Sequence, residues 1–134
     1  MQSLKIFYIT ILCLVLAAWL SACGGGSAIS VTQEQNGGSV ELKTGGILEV
    51  RLESNPSTGY SWQVVGLQGN VLEQQGEAEY KAESALPKPG SGGVEIFRFK
   101  ALQPGELALR LAYSRPWEKD VEPIETFELL VVVK

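Results

Sequence analysis

Leu48, Val50 and Leu52 alternate with Glu49, Arg51 and Glu53. The same period of two returns in Phe97, Phe99 and Ala101, in Leu107, Leu109, Leu111 and Tyr113, and in Phe127, Leu129, Val131 and Val133. Successive side chains of an extended chain point to opposite faces, so each row marks a strand with one face turned to a core. Arg98 and Lys100 take the opposite face of the second row. Turn-forming clusters separate the rows: Asn36-Gly37-Gly38, Thr44-Gly45-Gly46, Gly69-Asn70 and Pro104-Gly105. From Ile29 onward no helical stripe competes with this pattern. It predicts strands near 29–33, 39–43, 47–53, 60–66, 71–74, 78–83, 93–102, 106–114 and 126–133. Many short strands at such spacing predict an all-β fold, an immunoglobulin-like antiparallel β-sandwich. Trp62, early in the fourth strand, is expected in its core.

The first part of the chain follows a different pattern. After Lys5 the segment from Ile6 to Leu20 carries no charge. At about fifteen residues it is shorter than the roughly 20 a spanning helix needs. A basic residue, an apolar run and the small residues Ser21 and Ala22 describe a secretory signal peptide over residues 1–22. Leu20-Ser21-Ala22-Cys23 resembles a bacterial lipobox. That resemblance implies diacylglyceryl attachment to Cys23, which becomes the first residue of the mature protein. Each buried acyl methylene contributes roughly 0.8 kcal/mol to anchoring, so several chains hold a protein firmly. Gly24-Gly25-Gly26-Ser27 reads as a flexible link, giving a lipidated tether over 23–28 and a domain over 29–134. The expected location is the bacterial cell envelope. Gly24, where an Asp would favour inner-membrane retention, leans toward the outer membrane in a Gram-negative cell.

Charge and composition narrow the function. Removing Lys5 leaves 10 basic residues against 15 acidic ones, a net charge of −5. That balance disfavours nucleic acid, which is recognised through basic patches. Cys13 leaves with the signal and Cys23 carries lipid, so no disulfide is expected and the core alone holds the domain. The chain contains no His, which excludes Ser-His-Asp and Cys-His catalysis. A zinc site would rest on carboxylates alone, against the usual nitrogen and sulfur ligands. Glu77 and Glu79 flank Ala78 and read as solvation of an exposed strand face. No enzyme, cofactor or metal is expected.

Three connections, 54–59, 84–92 and 115–125, fall where one end of such a sandwich gathers its loops. The first holds Asn55-Pro56-Ser57-Thr58-Gly59, followed by Tyr60. Pro56 fixes its own φ and extends Asn55, while Gly59 can take a positive φ. The product is either a narrow, stiff wedge tipped by Ser57 and Thr58, or an ordinary turn. The second holds Gly90-Ser91-Gly92-Gly93, open to close backbone approach or simply flexible. The third holds Arg115-Pro116-Trp117-Glu118. Trp117 is either an exposed anchor, Trp and Arg being enriched at hot spots, or a cap on the sandwich with Arg115 paired to a nearby acid.

The order and spacing of these three segments, with the strand rows between them, resemble the signature loops of the chagasin family over most of the mature chain. The Asn-Pro-x-Thr-Gly-aromatic and Arg-Pro-Trp pair is the specific part, and the glycine loop adds little. Ser57 and Tyr60 lie within the family's usual variation. The lipobox and tether are an addition seen among bacterial members. The resemblance implies a reversible, competitive inhibitor of papain-like cysteine peptidases. It implies peptidase-binding roles for Asn55, Pro56, Ser57, Thr58, Gly59, Tyr60, Gly90, Ser91, Gly92, Gly93, Arg115, Pro116 and Trp117. The loop from Asn55 to Tyr60 would enter the catalytic cleft, with Thr58 near the target's Cys and His. The other two loops would grip the walls. The expected partners are such a peptidase and, through Cys23, a membrane; the domain is expected to be a monomer. The alternatives are a lipid-anchored adhesion or carbohydrate-binding module and a structural envelope lipoprotein.

Overall fold

A computed structural model describes residues 28–86 and 88–134. The expected signal peptide over 1–22, the expected lipidation site Cys23 and the expected link through Ser27 lie outside the described residues. Ala28, read from sequence as the end of the tether, opens the first strand.

Nine strands form in chain order: β1 (Ala28–Val31), β2 (Ser39–Leu42), β3 (Ile47–Ser54), β4 (Ser61–Gly66), β5 (Leu72–Gln74), β6 (Glu79–Ala82), β7 (Gly93–Ala101), β8 (Gly105–Ser114) and β9 (Glu125–Val133). Each lies within two residues of its expected bounds. One sheet runs β1-β3-β7-β5, with β6 also pairing with β7; the other runs β2-β9-β8-β4. The longest ladders, β3 with β7 and β8 with β9, are antiparallel.

Two marginal pairs differ from the antiparallel expectation. β1 runs parallel to β3, and β2 runs parallel to β9. The cause is a change of sheet early in the domain. After Val31 a short 3₁₀ turn, Gln33–Gln35, is capped by Thr32, whose backbone N–H donates to the Gln35 side chain at 2.7 Å. Asn36 then latches to β9: its side chain donates to Thr126 O and accepts from Glu128 N. One segment thus edges both sheets in turn, and each pairing direction follows from the strand it meets.

The apolar rows meet between the sheets. Leu48, Val50, Leu52, Phe97, Phe99, Leu109, Leu111, Phe127, Leu129 and Val131 are all buried in one cluster, with Trp62 among them as expected. Burial of each such side chain contributes roughly 1.5–3 kcal/mol. The outer face of the first sheet is ionic instead. Arg98 on β7 bridges Glu49 on β3 and Glu79 on β6, both at 3.1 Å, while Arg51 and Lys81 extend the row at either side. Glu79 is therefore more than a solvating residue.

Strand direction sets the poles of the molecule. β3 climbs from Ile47 to Ser54, and Ala28 sits opposite Ile47. The chain therefore joins the domain at one pole, while Asn55 and the loop after it occupy the other. Eight residues of extended chain separate them, about 24 Å.

Candidate functional site

Pro56, Ser57 and Thr58 form a single 3₁₀ turn. Asn55 precedes it outside the helical region, φ −132° and ψ 89°, in keeping with the following proline's exclusion of α geometry. Gly59 ends it with φ 80°, the left-handed region that glycine enters without steric cost. The turn takes the dihedrals its proline and glycine favour, and side chains bond across it. Thr58 Oγ1 donates to Asn55 O at 2.6 Å, and Ser57 Oγ donates to Asn55 Oδ1 at 2.6 Å. Pro56, Ser57 and Thr58 all stay exposed.

Asn55 is the hub of the site. Its backbone N–H donates to the Tyr113 hydroxyl at 2.9 Å, which fixes the loop to β8. Its side-chain amide donates to Gly90 O at 3.0 Å, which ties the first loop to the second. Ser91 is held within its own turn, its N–H and hydroxyl both donating to Lys88 O. Gly90 takes a positive φ of 84°. Gly92 O accepts from Glu83 N at 3.1 Å, closing the base of the loop. Gly93 differs from its neighbours. It is buried at the start of β7, and a Cβ there would stand 2.6 Å from the Tyr80 hydroxyl. It supports the loop from within the sheet, and its surface is not open to a partner.

Arg115 ties the third loop to the first. Its Nε donates to Thr58 O at 3.2 Å, and its guanidinium carbon lies 4.5 Å from the centre of the Tyr60 ring. Tyr60 in turn packs on Tyr113 at 5.5 Å between centroids, and Tyr113 stacks on Trp62 at 5.0 Å. A column of rings thus runs from the core to the rim, with a cation at its outer end. Arg115 also pairs with Glu118 at 3.3 Å, so the acid foreseen for it is three residues along the same loop. Trp117 leans against Gly59 yet remains 66% exposed. It does not cap the core. Pro116 is exposed beside it. Leu86, 86% exposed, and Val121 and Ile124, also exposed, add apolar surface on the second and third loops.

The structure therefore brings Asn55, Pro56, Ser57, Thr58, Gly59, Tyr60, Gly90, Ser91, Gly92, Arg115, Pro116 and Trp117 to one pole. Three further residues hold them there that the sequence reading did not single out. Tyr113 anchors Asn55, and Glu95 with Ser54 forms a buried polar contact below the first loop. For Glu95 the signal was its place in the inward row with Phe97 and Phe99. Among the described residues no group of His, Cys, Asp or Glu is arranged to hold a metal.

Comparison with known proteins places this pole in context. Residues 41–131 match the family model described as chagasin family peptidase inhibitor I42. Chagasin of Trypanosoma cruzi is 31% identical over 102 residues, spanning 72% of this chain and 90% of that protein. Amoebiasin-1 of Entamoeba histolytica is 33% identical over 107 residues, spanning 79% of this chain and 100% of that protein. The crystal structure of a cysteine protease inhibitor from Entamoeba histolytica shares the fold. Its TM-score is 0.70 at 24% identity, over 82% of this chain and 98% of that one.

Proposed function

The chain belongs to the chagasin family of cysteine peptidase inhibitors, and from that premise we propose that it blocks papain-like enzymes by laying its three-loop pole across the active-site cleft. The observation that carries this reading is the bonding of the loops to one another: Asn55 to Gly90 and Arg115 to Thr58. Loops fixed to one another before contact lose little conformational freedom on binding, which favours affinity.

The first loop is the wedge. A papain-like site needs a scissile carbonyl held in attack geometry beside its Cys–His pair. Thr58 O is occupied by Arg115, and Asn55 O accepts from both Thr58 N and Thr58 Oγ1. A turn with these carbonyls engaged internally fills the groove without offering either of them for attack. Gly90, Ser91 and Gly92 meet one wall, and Pro116 and Trp117 meet the other. A standard enzyme–inhibitor interface buries roughly 1,600 Å², and Trp117 with Leu86 supplies apolar area of the type such interfaces use. The adhesion and carbohydrate-binding alternatives have no observation in their favour.

Anchoring through a lipid on Cys23, in the cell envelope and at the outer membrane of a Gram-negative cell, is part of the same reading. The lipobox supports it, and so does the position of Ala28 at the pole opposite Asn55. Five residues from Cys23 to Ala28 reach at most about 18 Å, so an anchored domain keeps its base near the lipid and its loops toward solvent. Two measurements test the proposal. Papain kinetics with the full chain in detergent should show a raised apparent KM at constant kcat; a fall in kcat alone would exclude occupation of the cleft. Palmitate labelling in a bacterial host should disappear in Cys23→Ser; labelling that persists would remove Cys23 as the anchor.

A further inference from the structure

Glu95 stands in the inward row of β7, between Gly93 and Phe97, where the other positions are small or apolar. It is only 7% exposed. Among the described residues the ion pairs engage other carboxylates, those of Glu41, Glu49, Glu79, Glu118 and Glu128, and none engages Glu95. A buried carboxylate is costly unless it is hydrogen-bonded. Had packing been its whole role, Leu or Met would fill the space at lower cost.

Its partners show what it does there. Glu95 Oε1 accepts from the Ser54 hydroxyl, and the carboxylate also accepts from Trp62 N at 3.3 and 3.2 Å. Ser54 is the last residue of β3, immediately before Asn55. Trp62 is the second residue of β4, two residues after Tyr60. The two donors are the two feet of the first loop, one in each sheet. A third bond joins the same feet, from Trp62 Nε1 to Glu53 O at 2.8 Å. β4 is the edge strand of its sheet and pairs only with β8, so this carboxylate, reaching across from the facing sheet, adds a second hold on its start. One carboxyl group receiving both feet sets the distance between them.

We infer that Glu95 is a positioning residue for inhibition: its buried carboxylate clamps both feet of the 55–60 loop and so fixes the width and pitch of the wedge offered to the peptidase. It touches no partner itself. The inference rests on the inhibitory reading, and its test includes a readout that needs no peptidase.

The test compares Glu95→Leu, Glu95→Gln, Ser54→Ala and Leu48→Ala in the full chain in detergent. Leu48 is a fully buried core residue at the opposite end of β3 and serves as the stability control. The dissociation constant for papain, the melting temperature and the exchange rate of the Trp62 amide are measured. Glu95→Leu should bind about tenfold more weakly and exchange the Trp62 amide faster. Leu48→Ala should lose melting temperature and keep its affinity. Glu95→Gln, which keeps the shape and one acceptor oxygen, should recover most of the affinity. Ser54→Ala frees one foot at small cost in volume, should weaken binding severalfold, and decides the matter if Glu95→Leu fails to fold. Wild-type affinity with wild-type Trp62 exchange in Glu95→Leu or Ser54→Ala would overturn the inference, as would an equal loss of affinity in Leu48→Ala. If the wild-type chain leaves papain untouched, the inhibitory reading falls and Trp62 exchange alone judges the clamp.

Discussion

The Trp117 indole rests on Gly59. A Cβ at Gly59 would stand 3.0 Å from Trp117 Cζ2, with Cη2 nearer still. Gly59 also holds a φ of 80°. The first and third loops therefore meet at a residue that must lack a side chain for two separate reasons. Gly59→Ala is expected to strain the backbone by about 1–2 kcal/mol and to push the indole off its seat. The expected outcome is a melting temperature lower by several degrees, shifted Trp117 emission and weaker inhibition of papain. An unaltered inhibition constant would show that the seat does not matter.

Trp117→Ala removes a ring that is two-thirds solvent-exposed in the free domain. Stability should change by less than about 0.5 kcal/mol. A hot-spot aromatic contributes about 2 kcal/mol or more on truncation, so binding to papain should weaken roughly 30-fold, mainly through faster dissociation. Surface plasmon resonance separates the two rates. A folded variant with wild-type dissociation would remove Trp117 from the contact.

Thr58 lies exposed in the 3₁₀ turn with its hydroxyl engaged by Asn55 O. Thr58→Arg adds a long charged side chain at the point expected to enter deepest. The fold should be kept, since nothing covers this residue, and inhibition should be abolished. Tight binding retained by this variant would move the tip of the wedge elsewhere.

The ionic row on the first sheet predicts a pH response in stability, away from the loops. The hydrogen bond from Arg51, with help from the Arg98 charge, holds the Glu49 carboxyl below its ordinary value of 4.5. The hydrogen bond from Arg98 does the same for Glu79. A carboxyl whose folded value lies below its unfolded one contributes stability above about 4.5, and that contribution is lost as the pH falls through the folded value. Such exposed pairs each contribute little and are screened by salt. Arg98→Met should therefore make the fall in melting temperature between pH 5 and 3 shallower, most visibly at low ionic strength. An identical acid limb in variant and wild type would contradict the role given to Arg98.

The strands were legible because their apolar rows keep a strict period of two, and a row such as Phe127, Leu129, Val131 and Val133 has only one face to bury. The direction in which β1 and β2 pair was not. Local alternation says which face is inward and nothing about the strand alongside, and the answer depended on Asn36 latching to β9. The loop segments stood out through their stiff residues, Pro56, Gly59 and Pro116. What binds them to one another did not. The contacts from Asn55 to Gly90, from Arg115 to Thr58 and from Trp117 to Gly59 join residues 35 to 58 positions apart. Glu95 was hidden for a different reason: its place in the inward row was visible, but its two donors, Ser54 on the neighbouring strand and Trp62 in the facing sheet, lie 41 and 33 positions away.

The most direct measurement of the central claim is a titration of active papain with the full-length chain in detergent. We expect activity to fall linearly to zero at one inhibitor per enzyme, to return on dilution, and to leave the chain uncut. Papain that keeps its full activity in a large excess of the folded protein would contradict the assignment of the three-loop pole as a peptidase plug.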